Sequence, residues 1–582
     1  MSFSVALGST RSLTNVLTVS WMSRCSSVSS KSTGQVYGRA RALGPVLLPL
    51  ALVGGVALDN GGFDATSWGW STLLPLVIVG TVLALGRPTS PNGLALAFLG
   101  LLGAFAAWTW LSAVWSNDLS ASVLDAERLL VYFSAAAVFL LLERGQLTRF
   151  LVGLLAGISL AGVWALSLRS FGGPGSYDVA SVSADATRRL AAPLGYSNGL
   201  GLLAAIGILL ALGLAVRLRR PLAAAPVLVL GPTLYFTYSR GAWLALVAGG
   251  IATLGLALPR MSRRVVLAVT IAVLCAGAVA LVRVGGPSGA LREFSHAAPS
   301  VKADRSRRLF SLSGSSRAQY WHVAWRDYRQ HPWLGSGAGS FQRRWLRSRP
   351  ADLPVLDAHS LYLETLAELG PVGLGLLAAL LALPVAAGVI AWKQPLAAPA
   401  LGGYVAYLVH AAQDWDWELP AVTLAGLACA AALLILAERE PRSALVRKAR
   451  AAGVGAAVLL ALVALGALAG NQTLAAASVS LDADKPARAA RDARWAKSLV
   501  PWSPEPWRLH GEALLSQGNL DGARRDFLTA LRKDPSDWDS WVDLALVTQG
   551  SERKRAVERA QNRRCSVELR CPVFDSPGGS KT

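Results

Sequence analysis

The stretch LPAVTLAGLACAAALLILA, residues 419–437, decides the fold class. It contains no charged residue, and it has the length of one helical crossing of a bilayer core, which takes about 20 apolar residues. Residues 414–418 in front of it read DWDWE, and basic residues follow it from Arg439 onward. We therefore predict a membrane helix with acidic groups at one end and arginines at the other.

The rest of the chain repeats this pattern. The protein has 582 residues, of which 53% are hydrophobic and only 16% charged, whereas soluble domains carry about 25% charged residues. Only helices and closed barrels satisfy their backbone groups in lipid, so about thirteen apolar runs predict an all-α polytopic helical membrane protein. The other runs are 42–58, 70–85, 94–113, 123–142, 150–168, 200–216, 222–238, 243–258, 265–282, 371–392, 397–412 and 451–469.

The charges predict the orientation. The chain has 56 Lys and Arg against 35 Asp and Glu, a formal net charge of +21. Most of the basic residues between the runs fall in one alternating set of loops, which is therefore predicted to be cytoplasmic, and the opposite set is acidic or neutral. This alternation places the protein in the plasma membrane and excludes nucleic acid as the reason for the basic charge.

Two polar pieces are predicted to lie outside the membrane on the outer face, namely a loop at 285–358 and a tail from residue 471. Residues 1–38 are predicted to be a disordered cytoplasmic N-terminus, 39–470 a membrane domain, 471–565 tetratricopeptide-like helical repeats and 566–582 a flexible end. The repeat is predicted from a helix-pair spacing of about 34 residues. The residues at its positions are Trp507, Gly511, Ala523, Phe527, Ala530 and Pro535. Two functions fit this tail. It is a spacer, or it is a surface that docks a protein partner or a polymer.

The candidate site begins at His359, where the outer loop enters the tenth run. Its imidazole could accept a proton from a hydroxyl near neutral pH, and a structural histidine is the plain alternative. Arg240 lies at the predicted outer end of a run, where arginine is disfavoured unless it binds something. Asp414, Asp416 and Glu418 could contact sugar hydroxyls, and His410 lies one helical turn before Asp414. The spacing of Cys, His and acids indicates no metal or other cofactor.

Several of these stretches resemble the O-antigen ligase and polymerase superfamily. The family's signature is similar to His359-Ser360, nine residues, Gly370, two residues and Gly373, and residues 238–243 read YSRGAW as in that family. The resemblance extends from about residue 90 to 440 and also includes Arg189 to Asn198 and the segment from Arg317 to Phe341.

The resemblance implies a metal-independent glycosyltransferase that moves a glycan from a polyprenyl diphosphate carrier to a glycan, lipid or protein acceptor on the outer face. It implies that His359 activates the acceptor hydroxyl and that Arg240 lies near the diphosphate. Arg189, with Arg188 beside it, is similar to a second such arginine. Asn198, Arg317, Asp414, Asp416 and Glu418 complete the predicted substrate-binding set.

Other readings stay open at this point. A polysaccharide polymerase would use the same donor and differ in its acceptor, and a transporter or flippase of lipid-linked sugars would share the many spans. The ionisable groups lie at the predicted outer boundary rather than at mid-membrane, which favours catalysis over conduction. Cys565 and Cys571 would form a local disulfide or stay free in an outward tail.

Overall fold

The computed structural model of the protein describes residues 43–86, 93–171, 189–257, 317–348, 355–438, 442 and 445–564. Within these ranges every regular element is helical, as the sequence predicts. The ninth apolar run at 265–282, the predicted terminal segments 1–38 and 566–582, and both tail cysteines lie outside the described residues. The count of thirteen spans and the domain boundaries therefore stay predictions.

Each of the twelve apolar runs in the described ranges coincides with a helix. The bounds of these twelve helices are as follows. They are α1 Leu43–Leu58, α2 Ala65–Ala84, α3 Gly93–Ser112, α4 Leu119–Phe139, α5 Leu147–Phe171, α6 Ser197–Leu218, α7 Val227–Thr237, α8 Arg240–Ala257, α11 Leu361–Ile390, α12 Ala397–Ala411, α13 Pro420–Leu436 and α14 Arg447–Asp482, with α9 and α10 defined below.

The helix α13 forms the centre of the bundle. All of its residues except Leu427 are buried, and it packs against α4, α6, α11 and α12. A helix that is apolar on every side must be surrounded by other helices or by lipid, and here protein surrounds it. The run that decides the fold class is thus a core helix of only 17 residues rather than a lipid-facing one.

The helix α14 lies at the periphery instead. It packs along α2, and its apolar side chains Val458, Leu459, Leu462 and Val463 are more than half exposed. Such a surface suits lipid rather than water. Among the described residues, α14 is one of seven helices that are long and apolar enough to cross a membrane, which makes the protein a multi-pass membrane protein.

Two short helices, α9 Arg317–Gln330 and α10 Phe341–Ser348, cover one end of the bundle. Their apolar faces bury Tyr320, Phe341 and Trp345 against the start of α11. A turn rich in glycine, residues 335–339, joins the two helices. Gly335 has a φ of +74°, and a Cβ there would come within 2.3 Å of the backbone of Glu368, so only glycine fits this approach.

The tail forms antiparallel helix pairs. A small residue lies between the helices of one pair, since a Cβ on Gly511 would come within 2.6 Å of the Phe527 ring, and both residues occupy positions of the predicted repeat. The classification of the tail as tetratricopeptide repeats stays a prediction. The tail helices are α15 Pro486–Leu499, α16 Glu505–Ser516, α17 Leu520–Lys533, α18 Trp538–Leu546 and α19 Gly550–Arg564.

The tail and the α9–α10 cover meet at the same end of the bundle. Arg343 of α10 forms ion pairs of 2.7 Å with Asp118, in front of α4, and of 2.8 Å with Asp534, after α17. Ser120 also donates a hydrogen bond of 3.3 Å to Ser503 of the tail. One guanidinium thus joins the membrane core, the cover and the tail.

Replacing Arg343 with alanine is expected to loosen the tail without unfolding it. The guanidinium is only 11% exposed, so its two ion pairs are better shielded than ordinary surface pairs. Hydrogen exchange measured by mass spectrometry should rise around Asp534 and in 117–120, while α13 stays protected. Arg326→Ala, which removes an exposed arginine from α9, should leave exchange unchanged. Equal exchange in wild type and Arg343→Ala would contradict the bridge.

Candidate active site

Asp414 is the centre of a hydrogen-bonded network in the loop between α12 and α13. Its side chain is 1% exposed. Its Oδ2 accepts hydrogen bonds of 2.8 Å from Asn198 Nδ2 and of 2.8 Å from an Arg317 guanidinium N–H, and its Oδ1 accepts one from the Tyr196 hydroxyl. Three distant stretches of the chain, before α6, at the start of α9 and after α12, therefore meet on one carboxylate.

Arg189 extends this network toward Arg240. Its guanidinium donates a hydrogen bond of 2.6 Å to Asn198 Oδ1, and its Nε donates one of 2.8 Å to the Thr237 carbonyl. Thr237 ends α7, three residues before Arg240. The side chain of Arg189 is buried. Arg189 is thus bound to a residue only three positions before Arg240, the other arginine that is predicted to lie near the carrier diphosphate.

Arg240 is half-buried and begins α8. The next residue approaches the end of α12, because a Cβ on Gly241 would come within 3.0 Å of His410 Nε2. The other ring nitrogen of His410 lies 2.9 Å from Asp416 Oδ2, and both side chains are fully buried. The start of α8 therefore lies at the same end of the bundle as the Asp414 network.

His359 lies in the loop before α11, with its ring beside Tyr320 at 4.9 Å between ring centroids. Its Nδ1 lies 3.0 Å from the carbonyl oxygen of Asp357. A carbonyl can only accept, so Nδ1 carries the proton and Nε2 of the neutral ring keeps its lone pair. The φ of His359 is +55°, in the left-handed region that non-glycine residues adopt mostly where the surroundings impose it.

Burial of His359 favours a neutral imidazole. Burial lowers the pKa of His359, and the charge of Arg317 lowers it further, while Asp414 acts in the opposite direction. Burial alone would raise the pKa of Asp414, but the charge of Arg317, followed by that of His410, lowers it to about 2. At neutral pH the site therefore combines an ionised Asp414, a charged Arg317 and an imidazole that can accept a proton.

Two acidic residues have partners that the sequence does not predict. The helical spacing favours a pair between His410 and Asp414, but α12 ends one residue after His410, and His410 pairs with Asp416 instead. Glu418 pairs with Arg128 of α4 at 2.9 Å. The structure thus brings Arg189, Asn198, Arg317 and Asp414 into one network and places Glu418 in a second cluster with Arg128. Arg188 lies outside the described residues.

Sequence reasoning missed several residues at this end of the bundle. The sequence does not identify Tyr196 as a site residue, because its role becomes visible only when the structure places its phenol beside Asp414. Asp125 and Arg128 do give one, since charges inside the apolar run 123–142 are costly without a function. Glu364 and Glu368 also lie one helical turn apart on α11, and both line the same cavity as Asp125 and Arg128.

The comparison with protein families agrees with the resemblance. A family model described as O-antigen ligase matches residues 225–378. The matched segment contains Arg240, Arg317 and His359, and residues 1–224 and 379–582 lie outside it. The match supports the O-antigen ligase superfamily and hence a membrane glycosyltransferase of ligase or polymerase type in surface polysaccharide assembly. No curated protein matches the chain.

Replacing Asp414 with asparagine is expected to destabilise the protein and to reduce its activity. Arg317 is 17% exposed and would lose its carboxylate, and breaking a buried ion pair typically costs about 3–5 kcal/mol. Scanning fluorimetry of the purified protein should show a lower Tm. Asp521→Asn, at an exposed position of α17, is the matched control and should keep the wild-type Tm. An unchanged Tm for Asp414→Asn would contradict the central place of this carboxylate.

Proposed function

We propose that the protein transfers a glycan from a polyprenyl diphosphate carrier to an acceptor hydroxyl at the outer face of the plasma membrane. The observation that carries this proposal is the single network that joins Arg189, Asn198, Arg317 and Asp414 beside the starts of α8 and α11. The family match at 225–378 supports the same class of reaction.

In the proposed reaction, Nε2 of His359 takes the proton from the acceptor hydroxyl. The hydroxyl oxygen attacks the anomeric carbon of the donor sugar, and the bond between that carbon and the diphosphate oxygen breaks. The diphosphate leaves with the electron pair and stays attached to the polyprenyl chain. General-base catalysis of this kind typically contributes about 10²–10⁴-fold to the rate.

The guanidinium groups stabilise the charge that develops on the leaving diphosphate. Arg240 is assigned the closest contact, with Arg189 and Arg188 on the preceding stretch and Arg317 on α9. Guanidinium forms charge-assisted, often bidentate hydrogen bonds with phosphate oxygens, so this chemistry needs no metal ion at the leaving group. Asn198 and Asp414 hold Arg189 and Arg317 in place, and Asp416 holds His410 behind Arg240.

The acceptor decides between ligation and polymerisation. Ligation would join the glycan to a lipid or protein, whereas polymerisation would join it to another carrier-linked glycan. The signature at His359 is closer to the ligase branch, so we propose ligation first. The tail lies against the cover through Arg343, which suits a role in docking the acceptor or a protein partner. A flippase of lipid-linked sugars is the alternative from another functional class.

The experiment that tests the proposal uses the purified full-length protein in nanodiscs. It is incubated with a polyprenyl diphosphate glycan and, separately, with a lipid acceptor, a protein acceptor and no acceptor beyond the donor itself. Mass spectrometry of the products should show the glycan on the acceptor and release of polyprenyl diphosphate. Lengthened carrier-linked glycan would assign polymerisation. Intact donor in every reaction, together with donor movement across a vesicle membrane, would replace the proposal with transport.

A further inference from the structure

A second polar cluster lies behind the His359 loop. It is formed by Asp357 in that loop, Glu364 in the first turn of α11 and Glu418 in front of α13. One carboxylate oxygen from each of the three lies within 4.8 Å of the others. Asp357 and Glu364 are buried, and the Glu418 side chain is 13% exposed. Acidic side chains are thus concentrated where water is largely excluded.

The neighbouring charges do not neutralise this cluster. Arg128 pairs with Glu418 at 2.9 Å and also with Asp125 of the same helix, so one guanidinium is shared by two carboxylates. Glu364 accepts a hydrogen bond of 2.6 Å from the backbone N–H of Ala358, which stabilises the carboxylate without a balancing charge. Carboxylates buried together without counter-charge repel one another strongly.

Asp357 is the member of the cluster whose carboxylate lacks a partner in the part of the chain that the structure describes. Its residue is 8% exposed, and among the described residues its carboxylate has no hydrogen bond and no ion pair. It faces the carboxylates of Glu364 and Glu418 instead. A buried and unpartnered carboxylate is costly, and such groups in proteins are paired or coordinate a metal.

Two members of the cluster, Glu364 and Glu418, also line a cavity of about 120 Å³, which gives a ligand room. Its polar end is lined by Asp125, Arg128, Glu364, Glu368 and Glu418, and side chains mainly of α3 and α11 line much of the rest. Glu368 is already occupied, because it accepts hydrogen bonds of 2.9 Å and 2.8 Å from the backbone N–H groups of Gly339 and Phe341. The oxygens that remain for a ligand are both of Asp357, Oε1 of Glu364 and Oε2 of Glu418, because the second oxygen of each glutamate is bound by Ala358 or Arg128.

We propose that Asp357, Glu364 and Glu418 bind a hard divalent cation, with Ca²⁺ as the ion that fits best. Three ligands that are all carboxylate oxygens suit Ca²⁺, which takes 6–8 oxygens at about 2.3–2.6 Å in flexible geometry, with water completing the shell. Softer transition metals prefer nitrogen or sulfur ligands, and none is present in this set.

The cation would also fix the orientation of His359. The carbonyl oxygen of Asp357 accepts a hydrogen bond from Nδ1–H of His359, so an ion on the Asp357 side chain would hold the residue that selects the tautomer. This positioning role rests on the proposed function and on its outward-facing site, but binding of the ion does not. The ion lies at the carboxylate cluster and takes no part in stabilising the diphosphate.

The test measures the binding of Ca²⁺ alone, without donor or acceptor. Full-length protein in nanodiscs of phosphatidylcholine, which carries no net charge, is treated with chelator, dialysed and titrated with Ca²⁺ by isothermal titration calorimetry. We expect one saturable site, with a Kd of about 10⁻⁴–10⁻³ M as in other extracellular sites, and a Tm that rises with Ca²⁺. Asp357→Asn and Glu364→Gln should each weaken binding at least about tenfold.

The variants also separate loss of the site from loss of the fold. Asp357→Asn removes an unpartnered charge, so without Ca²⁺ its Tm should equal or exceed that of wild type, while the rise with Ca²⁺ disappears. Glu127→Gln on α4, whose side chain accepts a hydrogen bond from Asn471, is the matched control and should bind as wild type does. No saturable binding in wild type, or equal binding in Asp357→Asn, would overturn the proposal even if glycan transfer is demonstrated.

Discussion

Replacing His359 with alanine is expected to lower the rate of glycan transfer by about 10²–10⁴-fold, the usual contribution of a general base. The physical reason is the arrangement of the ring, whose Nδ1 is committed to the Asp357 carbonyl and whose Nε2 keeps its lone pair. Loss of the imidazole removes the group that takes the acceptor proton. The measurement is the initial rate of product formation by the purified variant at saturating donor.

The variant must be compared with proteins that keep the fold. His359→Gln keeps a hydrogen-bonding side chain of similar size but no titrating base, so it should be as slow as His359→Ala while its Tm stays near wild type. His322→Ala removes an exposed histidine from α9 and should keep the wild-type rate. A His359→Gln enzyme that transfers glycan at the wild-type rate would remove the base from the mechanism.

Replacing Arg240 with alanine is expected to lower the rate by about 10²–10³-fold, as loss of one donor to a developing oxyanion does in other enzymes. Arg240 is the first residue of α8 and half-buried, beside the buried pair of His410 and Asp416. Its guanidinium is proposed to make the closest contact with the leaving diphosphate, and alanine cannot supply that charge. The fall should appear in kcat more than in KM.

The conservative variant separates charge from geometry. Arg240→Lys keeps the positive charge but loses the planar fork that can contact two phosphate oxygens, so an intermediate rate is expected. Arg219→Ala, which removes an exposed arginine after α6, is the matched control and should leave the rate unchanged. Equal rates for Arg240→Ala and wild type would show that another group stabilises the leaving diphosphate.

Hydropathy alone predicts where the helices are, but not their neighbours. The runs 419–437 and 451–469, which become α13 and α14, both lack charged residues. Even so, α13 is buried by protein, whereas several side chains of α14 are more than half exposed. The difference depends on which helices pack together, and that is decided by contacts between residues far apart in the chain. The same limit applies to the tail, whose contact with the core through Arg343 has no local signal.

Sequence alone predicts a site residue where a charged side chain lies at a position that usually carries none, or where a family motif includes it. Asp414 is predicted because charges at the outer boundary need a reason and Arg189 from the family resemblance, and the structure joins them through Asn198. The partner of His410 was not predictable, because the helical spacing to Asp414 holds only while α12 continues. The acidic cluster with Asp357 is not predictable either, because Glu418 joins it from a stretch more than fifty residues away from Asp357 and Glu364.

The most direct test of the whole account is to locate the donor on the protein. A polyprenyl diphosphate glycan with a photoreactive group next to the diphosphate is bound to the purified protein and illuminated, and the labelled peptides are identified by mass spectrometry. The account predicts labelling around Arg189, Arg240, Arg317 and His359, with loss of labelling when unmodified donor competes. Competable labelling confined to the opposite end of the bundle, around residues 217–222 and 445–450, would contradict it.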